Sequence, residues 1–305
     1  MNATPAKDAD AYDAVGERTA ATDAPWSVIV EDLTHVYRRG NIRALDHVSV
    51  RIGPGEIVGV VGQNGSGKTT LTKHLNGLLK PTEGRVTVAG VDTANRRVQE
   101  LARHVGYVFQ NPNHQLFASS VEVDLGFGPR NLGLDDDEVA ERVEQAIEFF
   151  GLQEVRHLHP YRISFPMRKL VGIAAIHTMR PAIFVLDEPS TGQDHITTKK
   201  INELIRRLRT DGSTVICVSH DMQLLADVVD RVLVMWNGQL IADRAPRDIF
   251  ADREVMARTN LEPPQITEIS LRLRDRTGRR PALSVAEFAD TIGPMLRSGP
   301  GLGGN

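Results

Sequence analysis

The sequence predicts an α/β fold whose core is a mainly parallel sheet covered by helices on both faces. Three observations carry this. Ile57-Val-Gly-Val-Val61 is an apolar run leading directly into Gly62-Gln-Asn-Gly-Ser-Gly-Lys68-Thr69, with Leu71, Leu75 and Leu78 following at helical spacing. That is a strand, a glycine-rich loop and a helix start, with the G-x-x-x-x-G-K-[ST] spacing of a phosphate-binding loop. Secondly, the short apolar runs Ala182-Ile-Phe-Val-Leu186, Thr214-Val-Ile-Cys-Val218 and Arg231-Val-Leu-Val-Met-Trp236 read as strands buried on both faces. Thirdly, the stretches between such runs carry helical periodicity, the arrangement that joins parallel strands by crossover helices.

Taken in order, the chain is β-rich from Trp26 to about Val61. Ser27-Val-Ile-Val30 and Val48-Ser-Val-Arg-Ile52 are strands, with turns at Arg39-Gly-Asn41 and Gly53-Pro-Gly55. Gly84-Arg-Val-Thr-Val-Ala-Gly90 adds a further short strand. A helical middle follows. Val139, Val143, Ile147 and Phe150 recur at helix spacing behind Asp135-Asp-Asp-Glu138, an acidic start that suits the positive end of a helix dipole. Asn237-Gly238 is a strong hairpin dipeptide and turns the last strand into Gln239-Leu-Ile-Ala242. From about Ala245 short helices take over, and Ser284-Val-Ala-Glu287 is a capping box ahead of Phe288 and Ile292. The resulting division is a disordered acidic lead over 1–25, one domain over 26–245 with a helical part at about 112–178, a small C-terminal appendage over 246–297, and a flexible tail over 298–305.

Bulk properties exclude several functions. The 305 residues are 41% hydrophobic and 25% charged, with a formal net charge of −3, so no overall field draws nucleic acid or anionic lipid. The single cysteine, Cys217, lies inside an apolar run and reads as a small core hydrophobe. No stretch reaches the roughly 18 apolar residues that span a bilayer, and the first 24 residues lack the apolar segment of a secretory signal. The expected location is the cytoplasm, unless another subunit holds the protein at a membrane.

Each part of the glycine-rich loop has a physical role. Its glycines let backbone N–H groups converge on phosphate oxygens, and the helix behind adds its dipole. Lys68 supplies charge to the β and γ phosphates, and the Thr69 hydroxyl suits Mg²⁺. Asp187 and Glu188 follow a buried strand at the carboxyl edge where such sheets bind ligands. There an acidic residue can hold Mg²⁺, and its neighbour can orient or deprotonate an attacking water. His220 also follows a strand and is placed to reach a γ-phosphate, while Gln110 offers an amide to both metal and water. Each alone has an ordinary reading, as helix cap or core residue; together, in this order, they describe a phosphate-hydrolysing site.

The ordered set Gly62 to Thr69, Gln110, Leu186-Asp-Glu-Pro189, Gly192-Gln-Asp194 and Ser219-His-Asp221 resembles the motifs of an ABC-type ATPase over roughly residues 27 to 245. The resemblance implies a P-loop NTPase fold with an N-terminal antiparallel β subdomain, a mainly parallel core sheet, a helical subdomain and the C-terminal appendage. It implies ATP and Mg²⁺ as ligands. Gln63, Asn64, Gly65, Ser66, Gly67 and Thr70 complete the phosphate cradle, and Tyr37 takes the place of an aromatic that stacks on adenine, although an ordinary core tyrosine is the rival reading there. Thr69, Gln110 and Asp187 are the implied Mg²⁺ ligands, and Glu188, His220 and Gln110 the catalytic groups.

Phe109-Gln-Asn-Pro-Asn-His-Gln-Leu-Phe117, Asp124-Leu-Gly-Phe-Gly-Pro129 and Leu261-Glu-Pro-Pro-Gln-Ile266 narrow the resemblance to ATPase subunits of energy-coupling-factor importers, which take up vitamins or transition-metal ions. This implies a peripheral protein on the cytoplasmic face of the membrane. Its partners would be a transmembrane coupling subunit, near Asn113 to Phe117, and a substrate-capture membrane subunit. The appendage would help pair two ATPase subunits. The other reading, a soluble ABC-type ATPase acting on ribosomes or DNA, lacks the second cassette or coiled-coil insertion and the basic patch it needs.

One motif departs from the family. Where a Leu-Ser-Gly-Gly-Gln signature is expected ahead of the helix from Arg168 to Met179, the chain has Ile163-Ser-Phe-Pro-Met167. In the family this signature closes over ATP held by the other subunit. Phe165 adds bulk there and Pro166 removes a backbone donor, while Ser164 can still cap the helix and a proline is tolerated in its first turn. A heterodimer with a second ATPase subunit carrying an intact signature is therefore favoured over a homodimer, in which both halves would inherit the change.

Overall fold

A computed structural model describes residues 26–291 and 293–297. The lead over 1–25, the tail over 298–305 and Ile292 of the capping-box reading lie outside them. Two sheets organise the fold. The first is antiparallel, in the order β2-β1-β4-β5, from β1 (Val28–Tyr37), β2 (Ile42–Ile52), β4 (Glu83–Val88) and β5 (Val91–Asp92). β1 and β2 are longer than the alternation in the sequence indicates. Asp32 has a φ of 50° and the β1–β2 register shifts between Val30 and Leu33. Such a bulge breaks the period-two pattern while pairing continues.

The second sheet runs β10-β9-β3-β8-β7-β6, from β3 (Ile57–Val61), β6 (Val105–Val108), β7 (Ile183–Asp187), β8 (Thr214–Val218), β9 (Arg231–Trp236) and β10 (Gln239–Arg244). All its pairs are parallel except the β9–β10 hairpin. Asn237 and Gly238, at φ 46° and 81°, give that hairpin the positive angles its tight turn requires. β3, β7 and β8 are buried at every position. Side chains of β3 alternate between two cores: Val58 and Val60 pack with the antiparallel sheet, Ile57 and Val61 with the helical side.

Helix α1 (Lys68–Leu75) follows the glycine-rich loop, and α2 (Val98–Leu101) is one turn before β6. Leu78 is not on α1: Asn76 ends the helix and Gly77, at φ 74°, turns the chain away. α3 (Val121–Leu132), α4 (Asp136–Phe150) and α5 (Phe165–His177) form the helical part. Asp135 caps α4 through the Glu138 N–H, and Val139, Val143, Ile147 and Phe150 are its buried stripe. α5 starts three residues ahead of the expected Arg168. α6 (His195–Thr210) and α7 (Met222–Val228) complete the crossovers around β8.

Beyond β10 the described residues hold only short helices: α8 (Pro246–Ala251), α9 (Arg253–Thr259), α10 (Gln265–Arg272), α11 (Arg274–Thr277), α12 (Val285–Thr291) and α13 (Gly293–Arg297). The Arg258 guanidinium docks α9 onto the Trp236 ring, 4.1 Å from its centroid. Ser284 accepts the Glu287 N–H, but the Glu287 carboxylate returns to the N–H of Leu283, one residue earlier than in a capping box. Among the described residues no helix is long and apolar enough to cross a membrane.

Candidate nucleotide-binding site

The carboxyl ends of β3, β7 and β8 converge, so the loops leaving them share one cavity. Residues 62–67 wrap from β3 into α1. Gly62 sits at φ 145°, and a Cβ there would run into the Met235 carbonyl of β9. Gly67 caps α1 in the left-handed region, and a Cβ on it would lie 2.6 Å from the Ala44 carbonyl oxygen. Both positions therefore require glycine. The Gly238 N–H donates to Ser66 O at 3.0 Å, holding the loop against the β9–β10 hairpin.

Lys68 folds back over this loop. Its Nζ donates to the carbonyls of Gly62 (2.7 Å) and Gln63 (2.9 Å). Burial holds its ammonium below the ordinary lysine range, and the nearby Glu188 and Asp187 charges work against that shift. Ser66 Oγ is buried with no hydrogen-bond partner among the described residues.

Asp187 closes β7. Its Oδ2 accepts from Thr69 Oγ1 at 3.4 Å and from the Tyr107 phenol at 3.1 Å. Burial pushes this carboxyl above the usual range, with the Tyr107 bond opposing and the Glu188 charge reinforcing the shift. Tyr107 itself is buried and its phenol is pushed upward, so it stays a donor. Sequence reasoning missed it; the available signal was a phenol inside the apolar run of β6, which must find a partner when buried.

Glu188 sits at φ 53°, a left-handed conformation that costs a non-glycine residue roughly 1 kcal/mol. Its N–H donates to Val218 O at 2.8 Å. Oε2 accepts from Thr191 Oγ1 at 3.0 Å and from the His220 N–H at 3.4 Å. Oε1 lies 3.3 Å from His220 Nε2 but takes no well-aligned hydrogen bond.

The cavity has a volume of about 340 Å³, and Tyr37, Lys68, Thr69, Gln110, Asp187, Glu188 and His220 all line it. Asn64, Gly65, Gly67 and Thr70 contribute to the same walls. The half-exposed Tyr37 is held beside α1, its hydroxyl 3.2 Å from Thr70 Oγ1. The glycine-rich loop with its lysine, a pair of carboxylates and an aromatic side chain thus share a space of ligand size. The Thr69 hydroxyl beside the Asp187 carboxylate is an oxygen donor set that fits a hard divalent cation.

Ser164, Phe165 and Pro166 are not part of this cavity. Ser164 Oγ caps α5 by accepting the Met167 N–H at 3.4 Å, and Pro166 occupies the first turn. The half-exposed Phe165 ring lies beside the Arg168 guanidinium, which also covers Tyr161 and donates to Asn113 at 2.8 Å.

Residues 45–191 match the ABC transporter family. The chain is 40% identical over 245 residues to the energy-coupling factor transporter ATP-binding protein EcfA of Methanoculleus marisnigri, covering 80% of this chain and 88% of that protein. The chain belongs to the ABC transporter family of ATP-binding proteins. A putative ABC transporter ATP-binding protein of Caldanaerobacter subterraneus subsp. tengcongensis, TTE1589, is 41% identical over 243 residues, which is 80% of this chain but only 42% of the longer relative. Among solved structures, cbiO1 of Clostridium perfringens, part of the ABC transporter complex cbiONQ, is similar with a TM-score of 0.67 and 34% identity, over 80% of this chain and 98% of that one. The ABC ATPase fold expected from the motifs is the fold found.

Proposed function

We propose that this chain is the ATP-hydrolysing subunit of an energy-coupling-factor type importer for a vitamin or a transition-metal ion. It would work from the cytoplasmic face of the membrane, beside a transmembrane coupling subunit and a substrate-capture subunit. The observation that carries the hydrolytic part is the single cavity shared by Lys68, Thr69, Gln110, Asp187, Glu188 and His220; the importer class rests on the likeness to EcfA and cbiO1.

In this reading the loop amides and Lys68 bind the β and γ phosphates, and Tyr37 stacks on the adenine. Lys68 leaves the Gly62 and Gln63 carbonyls to do so. Thr69, Asp187 and Gln110 would hold a Mg²⁺ ion, which when bound neutralises charge on the phosphate oxygens. Glu188 takes a proton from the water that attacks the γ-phosphorus, and His220 orients that carboxylate and reaches the γ-phosphate. Glu188→Gln is expected to abolish turnover while ATP still binds; undiminished turnover would remove Glu188 from the mechanism.

The pairing proposed is with a second ATPase subunit rather than a second copy. Phe165 and Pro166 stand where the family's signature glycines approach a nucleotide held by the other chain. Full ATPase activity from the isolated protein would refute this pairing, whereas activity that appears only after co-purification with a second ATPase subunit supports it.

A further inference from the structure

We propose that Lys169 is a positioning residue for hydrolysis: its ammonium, buried under α5, fixes the backbone turn Glu188-Pro-Ser-Thr191 and thereby the aim of the Glu188 carboxylate. The inference rests on the reading that Glu188 activates the attacking water. Lys169 is 1% exposed, and a cation taken so far from water survives only with acceptors and nearby negative charge. Its Nζ donates to the carbonyls of Glu188 and of Thr191, the latter at 3.0 Å. These are the two ends of the turn that leaves β7. Asp187 and Glu188 supply the compensating charge, while burial pulls the ammonium below the ordinary lysine range.

The turn needs such a clamp. Glu188 is held at φ 53°, and a strained backbone persists only where its surroundings over-determine it. Three groups do so here. The Glu188 N–H is bound to β8 through Val218, its side chain to the Thr191 hydroxyl and the His220 backbone N–H, and its carbonyl to Lys169. α5 is also tied to the turn from its first residues, since Gln193 Nε2 donates to Pro166 O at 3.1 Å. Three residues beyond Lys169, Gly172 O accepts from Gln115 Nε2 at 2.6 Å, and Gln115 Oε1 accepts the Phe109 N–H. The helix that begins at the altered signature is thus bolted to the residues beside both Glu188 and Gln110.

The test uses Lys169→Met and Lys169→Gln in the assembled ATPase complex, with Glu188→Gln as the reference. ATP turnover and ATP affinity are measured separately, and folding is checked by thermal unfolding. A positioning role predicts that Lys169→Met lowers kcat by about tenfold or more. Its ATP Kd should stay within about twofold of the parent. Lys169→Gln, which returns an N–H donor to the two carbonyls, should recover part of the rate. A folded Lys169→Met protein with unchanged kcat overturns the inference, as does a parallel loss of kcat and ATP binding. If Lys169→Met does not fold, Lys169→Gln is judged by the same split of kcat against Kd. Turnover that survives Glu188→Gln strikes the underlying reading instead, so the two failures are distinguishable.

Discussion

His74, which packs against His35 and through it toward Tyr37, makes the stability of the fold depend on pH, and its hydrogen bonds give the sign. The side chain is fully buried on α1. Its Nδ1 lies 2.7 Å from Thr70 O, which only accepts, so Nδ1 carries the proton. Nε2 is then the acceptor for His35 Nδ1 at 3.2 Å, and His35 Nδ1 also faces Lys80 O at 3.1 Å. Protonating His74 would bury a charge and set N–H against N–H. Burial accordingly pushes its pKa from 6.5 down to about 4. The unfolded chain takes up this proton as pH falls through about 6.5, and the folded chain only near 4, so folding loses stability across that window and keeps it above. The gap corresponds to about 3 kcal/mol when fully developed, of which about 2 kcal/mol is lost by pH 5. His74→Asn retains a donor for Thr70 O without titrating. Urea unfolding at pH 7.5 and pH 5 should show the parent losing about 2 kcal/mol more than the variant between the two conditions. His177, also pushed down to about 4 by burial and the Arg207 and Arg180 charges, cancels in that difference. Equal pH dependence of parent and variant would refute the tautomer assignment and the buried neutral imidazole.

Three further outcomes are expected. Tyr37→Ala should weaken ATP binding roughly tenfold, the scale of a lost base–aromatic stack, and leave inorganic triphosphate binding unchanged; equal losses for both ligands would remove the stacking role. Tyr107→Phe deletes the donor to Asp187 Oδ2 and should cost about 1–2 kcal/mol in unfolding experiments, with the Mg²⁺ needed for half-maximal turnover rising about threefold. An unaltered Mg²⁺ requirement would mean that Asp187 does not depend on the phenol. The double change Phe165→Gly and Pro166→Gly should raise the turnover of the complex if these residues impair the site completed by another chain; no change would show that the altered signature is tolerated.

Local signals predicted the elements they act on. The continuous apolar runs of β7, β8 and β9, the Asn237-Gly238 turn and the acidic start Asp135-Asp-Asp-Glu138 each encode their structure within a few residues. The glycine-rich loop did so too, because backbone approach to phosphate demands its own residue types. α3 was illegible as a helix, since Gly126, Gly128 and Pro129 all weaken helix propensity. Gly128 leaves room there for the Met179 side chain, against which a Cβ would press. Tyr107 and Lys169 were missed for a different reason. Their partners lie 80 and 19 residues away, and only the sheet order brings them together.

The departures from the family pattern concentrate on one helix. Phe165 and Pro166 stand at the outward start of α5, while Lys169 faces inward barely one turn later. In the proposed mechanism the outward end serves a nucleotide held by another chain, and the inward face serves Glu188 of this chain. On that reading the helix would serve both half-sites, so its two ends could diverge in quality without separating in space. Loss of donors at the outward end leaves the Lys169 contacts intact, because those bonds run to the Glu188–Thr191 turn rather than to the signature backbone. The two ends are therefore separable by mutation: changes at Phe165 and Pro166 should act on turnover at the partner's nucleotide, and changes at Lys169 on turnover at the nucleotide bound by Lys68.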